Sequence, residues 1–98
     1  MQGELIHEFR AQVRDPDGHL YRARVLGRSR DGKARSWIGW LEFTLVGSGG
    51  RVQRTDPETT QPYREALVYW ATGLERVYLE GAVARAVAAR AGSAASSR

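Results

Sequence analysis

Ninety-eight residues with 42% hydrophobic side chains suit one domain around a single modest core and exclude two. The absence of cysteine removes thiol catalysis, thiolate metal sites and disulfides. The net charge of +4 is uneven: residues 10–35 hold eight basic side chains against three acidic ones, and the rest of the chain sums to −1.

Fourteen of the 15 basic residues are arginine and thirteen residues are alanine, a pairing that GC-rich coding produces without any ligand. No apolar run approaches the roughly 18 residues of a membrane span, and Met1-Gln2-Gly3-Glu4 does not open a signal peptide. The expectation is a cytoplasmic protein without a membrane partner. No catalytic or cofactor motif occurs, so a non-enzymatic chain with no cofactor and no metal is expected.

Residues 5–13 alternate, with Leu5, His7, Phe9, Ala11 and Val13 at odd positions and Ile6, Glu8, Arg10 and Gln12 at even ones. A period of two predicts a strand with one buried face. Asp15-Pro16-Asp17-Gly18 follows as a type I turn, with proline where φ near −65° is wanted. Residues 20–28 form the second predicted strand, with Tyr21, Ala23, Val25 and Gly27 on one face and Arg22, Arg24 and Arg28 on the other. Asp31-Gly32 marks the next reversal. Residues 36–46 are the most apolar stretch, carrying Trp37, Ile38, Trp40, Leu41, Phe43, Leu45 and Val46. Both faces of this third strand are apolar, which places it centrally in a sheet. Gly47-Ser48-Gly49-Gly50 reads as a loop and residues 51–55 as a short fourth strand.

The pattern then changes to a period of 3.6. Residues 56–61 are polar and turn-like, Pro62 suits a first helical turn, and Tyr63, Ala66, Leu67, Trp70 and Leu74 recur at helical spacing before Gly73 ends the helix. Residues 76–79 read either as a short strand or as the start of the next helix. Residues 81–91 are alanine-rich and helical, with Val83 and Val87 on one side and Gly92 as the stop. The domain therefore spans residues 1–92, with 93–98 a flexible tail. The fold class is α+β: an antiparallel meander of three or four strands followed by two helices packed on the sheet.

Register follows from asking which alignment puts apolar residues opposite apolar ones. Five-residue connections, or a three-residue one at the second turn, place Val13, Ala11 and Phe9 opposite Tyr21, Ala23 and Val25. Those face Phe43, Leu41 and Gly39 in turn, and His7, Gly27 and Trp37 form a fourth row. The other face then reads Gln12–Arg22–Glu42, Arg10–Arg24–Trp40, Glu8–Leu26–Ile38 and Ile6–Arg28–Ser36. On it, Arg24 stacks on Trp40 and Arg22 pairs with Glu42. Two uses of this face stay open. It is covered by a helix or by a second copy of the chain, or it is an exposed basic and aromatic surface of the kind that binds single-stranded nucleic acid.

The segments Glu58-Thr59-Thr60-Gln61-Pro62, Tyr69-Trp70-Ala71-Thr72-Gly73-Leu74 and Val77-Tyr78-Leu79-Glu80-Gly81-Ala82 resemble a family of short uncharacterised bacterial proteins. Gly39-Trp40-Leu41-Glu42-Phe43 fits the same resemblance, which covers roughly residues 20 to 90. It implies a stand-alone one-domain bacterial protein and brings no activity, cofactor or partner.

Two candidate sites emerge. Arg10, Arg22, Arg24, Arg28 and Trp40 form a face for a polyanion or a protein partner. The polar loop with Thr59, Thr60 and Gln61, flanked by Arg54 and Arg64, stands at a helix entrance where backbone N–H groups attract anions. Its plainer role is helix capping by Thr59 or Thr60. His7 is in phase with the core, His19 sits in a turn, and neither has a partner at the spacing of a catalytic triad or a metal site. The two-sided apolar third strand, through Trp40 and Ile38, makes a homodimer the expected state. The functional expectation is a self-associating interaction or regulatory module, with nucleic-acid binding through the arginine and tryptophan face as the alternative.

Overall fold

Two glycines placed opposite each other in neighbouring strands decide how the helices meet the sheet. The computed structural model describes residues 2–30, 35–47 and 49–96, with side chains to residue 91. Strands β1 (Glu4–Glu8), β2 (Val13–Arg14), β3 (Leu20–Ser29), β4 (Trp37–Leu45), β5 (Val52–Arg54) and β6 (Thr59–Gln61) precede helices α1 (Arg64–Thr72) and α2 (Arg76–Ser96). The six strands form one antiparallel sheet, followed by two helices packed on it, an α+β fold. β3 and β4 are the long central pair. β1 and β2 together flank β3, while β5 and β6 flank β4, so the sheet is four positions wide with both edges broken.

The faces agree with the period-two reading, but the pairing differs. β3 and β4 are slid by two residues from the expected alignment: Tyr21, Ala23, Val25 and Gly27 lie opposite Leu45, Phe43, Leu41 and Gly39. A slip of two keeps every side chain on its face. The connection spans residues 30–36 and is closed by a hydrogen bond from the Arg30 N–H to the Ser36 carbonyl at 2.6 Å. It is longer than expected, and the expected turn at Asp31-Gly32 lies outside the described residues. The glycine-rich turn stands, with Gly47, Gly49 and Gly50 at positive φ; its Ser48 is not among the described residues.

The single first strand is a correction. It breaks after Glu8 and resumes at Val13. Ile6 is bulged out of the ladder between the Leu5–Leu26 and His7–Val25 pairs. Of residues 9–12, Phe9 still donates its N–H to the Ala23 carbonyl at 3.0 Å, and Ala11 is exposed rather than opposite Ala23. A bulge steepens the local twist, and here it also returns Glu4 to the helix side. There Glu4 accepts from the Arg64 Nε of α1 at 2.7 Å.

Gly27 and Gly39 form the slot on which α1 sits. A β-carbon on Gly39 would lie 2.6 Å from Cδ1 of Leu67 and 3.3 Å from the Thr59 methyl, and one on Gly27 would meet the other Leu67 methyl as well. Leu67 is fully buried there, a burial that stabilises by roughly 2 kcal/mol. Beyond it, Ala71 of α1 and Leu79, Ala82, Val83 and Ala86 of α2 close over Val13, Tyr21, Ala23, Val25, Leu41 and Phe43. The small alanines bring the helices close to the sheet. Phe9, Trp70, Leu74, Tyr78 and Val87 pack around this core.

Residues 76–79 are helix, not strand. The buried series 79, 82, 83 and 86 has helical spacing and starts before Gly81, where the alanine-rich run begins. Gly81 and Gly92 lie inside α2, so Gly92 is not its stop. A glycine costs a helix about 1 kcal/mol, which the alanine-rich flanks and the packed face outweigh. Among the described residues, no helix is long and apolar enough to cross a membrane.

The slot gives a direct prediction. Gly39→Ala destabilises the fold by about 2 kcal/mol through overpacking, and Leu67→Ala by about 3 kcal/mol through lost burial. In the double variant the two costs are less than additive, because the added methyl fills space that Leu67 vacated. Denaturant unfolding of the four proteins measures the coupling.

A helix-free arginine face as the candidate functional site

Both helices pack on the Tyr21 side of the sheet, so among the described residues no helix covers the opposite face. Successive residues of β3 alternate, which sends Arg22, Arg24, Leu26 and Arg28 to this face, and β4 adds Thr44, Glu42, Trp40 and Ile38 opposite them. Its middle row runs Glu8, Arg24, Glu42, Arg54 across β1, β3, β4 and β5, acid and base in alternation.

Glu42 is the centre of that row and is 2% exposed. Its Oε1 accepts from Arg24 Nε at 2.7 Å and its Oε2 from Arg54 Nε at 2.8 Å. Burial alone would raise the Glu42 pKa, but the hydrogen bonds and positive charge of Arg54 and Arg24 outweigh it and hold the carboxyl below its ordinary value. The two guanidinium groups remain about half exposed. The carboxylate is therefore buried while its partners meet solvent, which lowers the desolvation cost of the cluster.

Next to this row lies an apolar belt. Trp40 is 2% exposed, and Leu26 and Ile38 beside it are 8% exposed. The indole reaches across to the start of β1, where a β-carbon on Gly3 would come within 2.6 Å of its ring. Its Nε1 has no hydrogen-bond partner among the described residues.

The residues singled out from sequence thus land as follows. Arg22, Arg24 and Arg28 share the face. Arg10 lies at its edge, in the break between β1 and β2, and lines a cavity of about 470 Å3 with Glu8, Phe9, Gln12 and Arg22. Trp40 belongs to the face but is sealed into it. The expected pairs are corrected by the two-residue slide: Arg24 meets Glu42 rather than Trp40, and Arg22 lies opposite Thr44 rather than Glu42. Trp40 and Ile38, on which self-association was expected, are buried within the single chain. Glu42 and Glu8 were expected on this face with other partners, and Thr44, opposite Arg22, is the neighbour that the sequence reading did not name. The signal for Glu42 was present, a lone acid between Leu41 and Phe43 in the most apolar strand.

The polar loop is not assembled as expected. Thr59, Thr60 and Gln61 form β6 against Gly39, Ile38 and Trp37, so neither threonine caps α1. Gln61 Nε2 donates to Thr59 Oγ1 at 2.7 Å. The residue at the cap of α1 is Tyr63, without a side-chain hydrogen bond. Arg54 is held by Glu42 and Arg64 by Glu4, at opposite edges of the sheet. The neighbouring Glu58 instead ties the loop to α2, accepting from the Tyr78 hydroxyl and from Arg85, each at 2.5 Å. Burial and the Glu58 charge push the Tyr78 pKa up.

Two other titratable groups are structural. Asp15 accepts from the backbone N–H groups of Asp17 and His19, both at 2.9 Å, and from the Tyr21 hydroxyl at 3.2 Å. Burial acts to raise its pKa, and these hydrogen bonds, led by that of His19, bring it below the ordinary value. The group Asp15, Asp17 and His19 is thereby a locked turn. His7 packs edge-on against Phe9 with ring centres 4.6 Å apart. No protein-family model, curated protein or solved structure matches this chain.

The two lowered carboxyls set the acid response. A group depressed in the folded state contributes stability above its unfolded pKa, about 4.3 for Glu and 3.9 for Asp, and loses it as pH falls through the folded value. The thermal midpoint is therefore steady near neutrality and drops below about pH 4. Glu42→Gln lowers stability at neutral pH by about 2 kcal/mol and flattens the acid drop, leaving the part due to Asp15. Calorimetry of both proteins across this range checks the outcome.

Proposed function

We propose that this protein is a non-enzymatic interaction module that receives an acidic protein partner on its helix-free sheet face. The observation that carries the reading is the arginine set on that face. Arg24 and Arg54 are held by Glu42, whereas Arg10, Arg22 and Arg28 form no ion pair among the described residues. All three are exposed. Exposed positive groups without an internal acid steer a partner of opposite sign toward this face.

The burial of Trp40 and Ile38 favours docking of a different chain over self-association through this face. It also separates the two kinds of acidic partner. Single-stranded nucleic acid is held by ring stacking as well as by phosphate contacts, and the tryptophan of this face offers no ring to stack on. Glu8 and Glu42 interrupt the positive charge, an alternation that suits the mixed charges of a protein surface better than a uniform phosphate backbone. The second reading, phosphate-backbone binding, draws on the same three arginines and differs in its order of affinities.

Binding to poly-L-glutamate and to single-stranded and duplex oligonucleotides, measured at about 50 and about 300 mM salt, separates the readings. The expected result is poly-glutamate binding that weakens with salt and falls about tenfold in Arg28→Glu, with oligonucleotides bound more weakly. Tighter oligonucleotide binding with a steep salt slope supports the second reading instead. Binding to neither polymer at low salt ends both.

A further inference from the structure

Two arginines already converge on an acid on this face: Arg24 and Arg54, with the Glu42 carboxylate between them. The adjacent row keeps one arginine and has no acid beside it. Arg22 lies opposite Thr44, and Thr44 opposite Val52, so a hydroxyl stands where Glu42 stands one row away. On the other flank of Arg22 the first strand is broken. Residues 9–12 leave the ladder between the Glu8–Arg24 and Val13–Tyr21 pairs. The gap is the cavity of about 470 Å3 whose walls include Arg10, Gln12 and Arg22. A second cavity of about 240 Å3, lined by Glu8, Arg22, Ala23, Arg24 and Thr44, adjoins it at Arg22.

We infer that the break in the first strand is a carboxylate subsite, in which an aspartate or glutamate side chain of an acidic protein segment seats between Arg10 and Arg22. This rests on the acidic-partner reading above and names the group that the face holds. Guanidinium groups bind carboxylates through paired N–H donors, and the Gln12 amide supplies a further donor at the same cavity. The incoming acid does for Arg22 what Glu42 does for Arg24. Glu8 lines both cavities and forms no ion pair among the described residues. It opposes the ligand by like charge, so the subsite is held below its full affinity.

The test titrates an oligoglutamate peptide into the whole chain and its variants at low salt. Arg10→Gln and Arg22→Gln each weaken binding by about tenfold, and Arg28→Gln, farther along the face, by less. Glu8→Gln tightens it. Thr44→Glu gives Arg22 an internal acid and abolishes binding with the thermal midpoint maintained. If that variant does not fold, the exposed substitutions at Arg10, Arg22 and Glu8 carry the test. Losses at Arg10 and Arg22 no larger than at Arg28, or no gain in Glu8→Gln, overturn the subsite while the acidic-partner reading stands. An unaltered chain that does not bind the peptide at all removes the acidic-partner reading itself.

Discussion

A buried carboxylate in the middle of a β-strand constrains everything around it, because it is tolerated only where positive groups or hydrogen-bond donors satisfy it. Glu42 meets that condition through Arg24 beside it on β3 and Arg54 beside it on β5. The same alignment brings Gly27 opposite Gly39 and opens the slot for Leu67 on the other face. A slide of two residues would keep every side chain on its face and would offer Glu42 Arg22 in place of Arg24, yet it would divide the glycine pair that Leu67 needs. The helix face therefore selects between these registers on steric grounds, and in the register it selects the buried acid of the other face is satisfied as well. Agreement of this kind is what gives a sequence a single preferred structure.

Much of the fold is legible in the residues. Alternation in β3 and β4 assigns the two faces, Pro16 and Gly18 place the first turn, and the spacing of Leu67 and Trp70 marks α1. What alternation cannot give is the slide between strands, since pairings two residues apart look alike to a pattern of period two. The glycine pair beneath Leu67 tells them apart. The break in the first strand was also hidden, because Phe9, Ala11 and Val13 continue the apolar series past the point where pairing stops. In α2 the misleading feature was Gly81, which suggested a helix start although Leu79 already belongs to the buried stripe.

The candidate site was half visible. The sequence places Arg22, Arg24 and Arg28 on one face by parity alone, and they are there. It does not tell which arginines are already satisfied. That depends on the slide, which gives Glu42 to Arg24 and leaves Thr44 to Arg22. The apolar character of β4 suggested an exposed tryptophan or a cover, whereas the indole lies across the sheet against Gly3. The surface is consequently one of charge set over a sealed apolar belt, and recognition on it follows from which positive groups remain without an internal acid.

The account depends on Glu42 being ionised and doubly held in the folded chain. Carboxyl carbon NMR of a protein labelled at glutamate, followed against pH, reports this directly. The account predicts that the Glu42 resonance titrates below the ordinary glutamate value and that its midpoint moves up in Arg24→Gln and in Arg54→Gln. A Glu42 carboxyl titrating at or above the ordinary glutamate value of about 4.3, or indifferent to both substitutions, would contradict it.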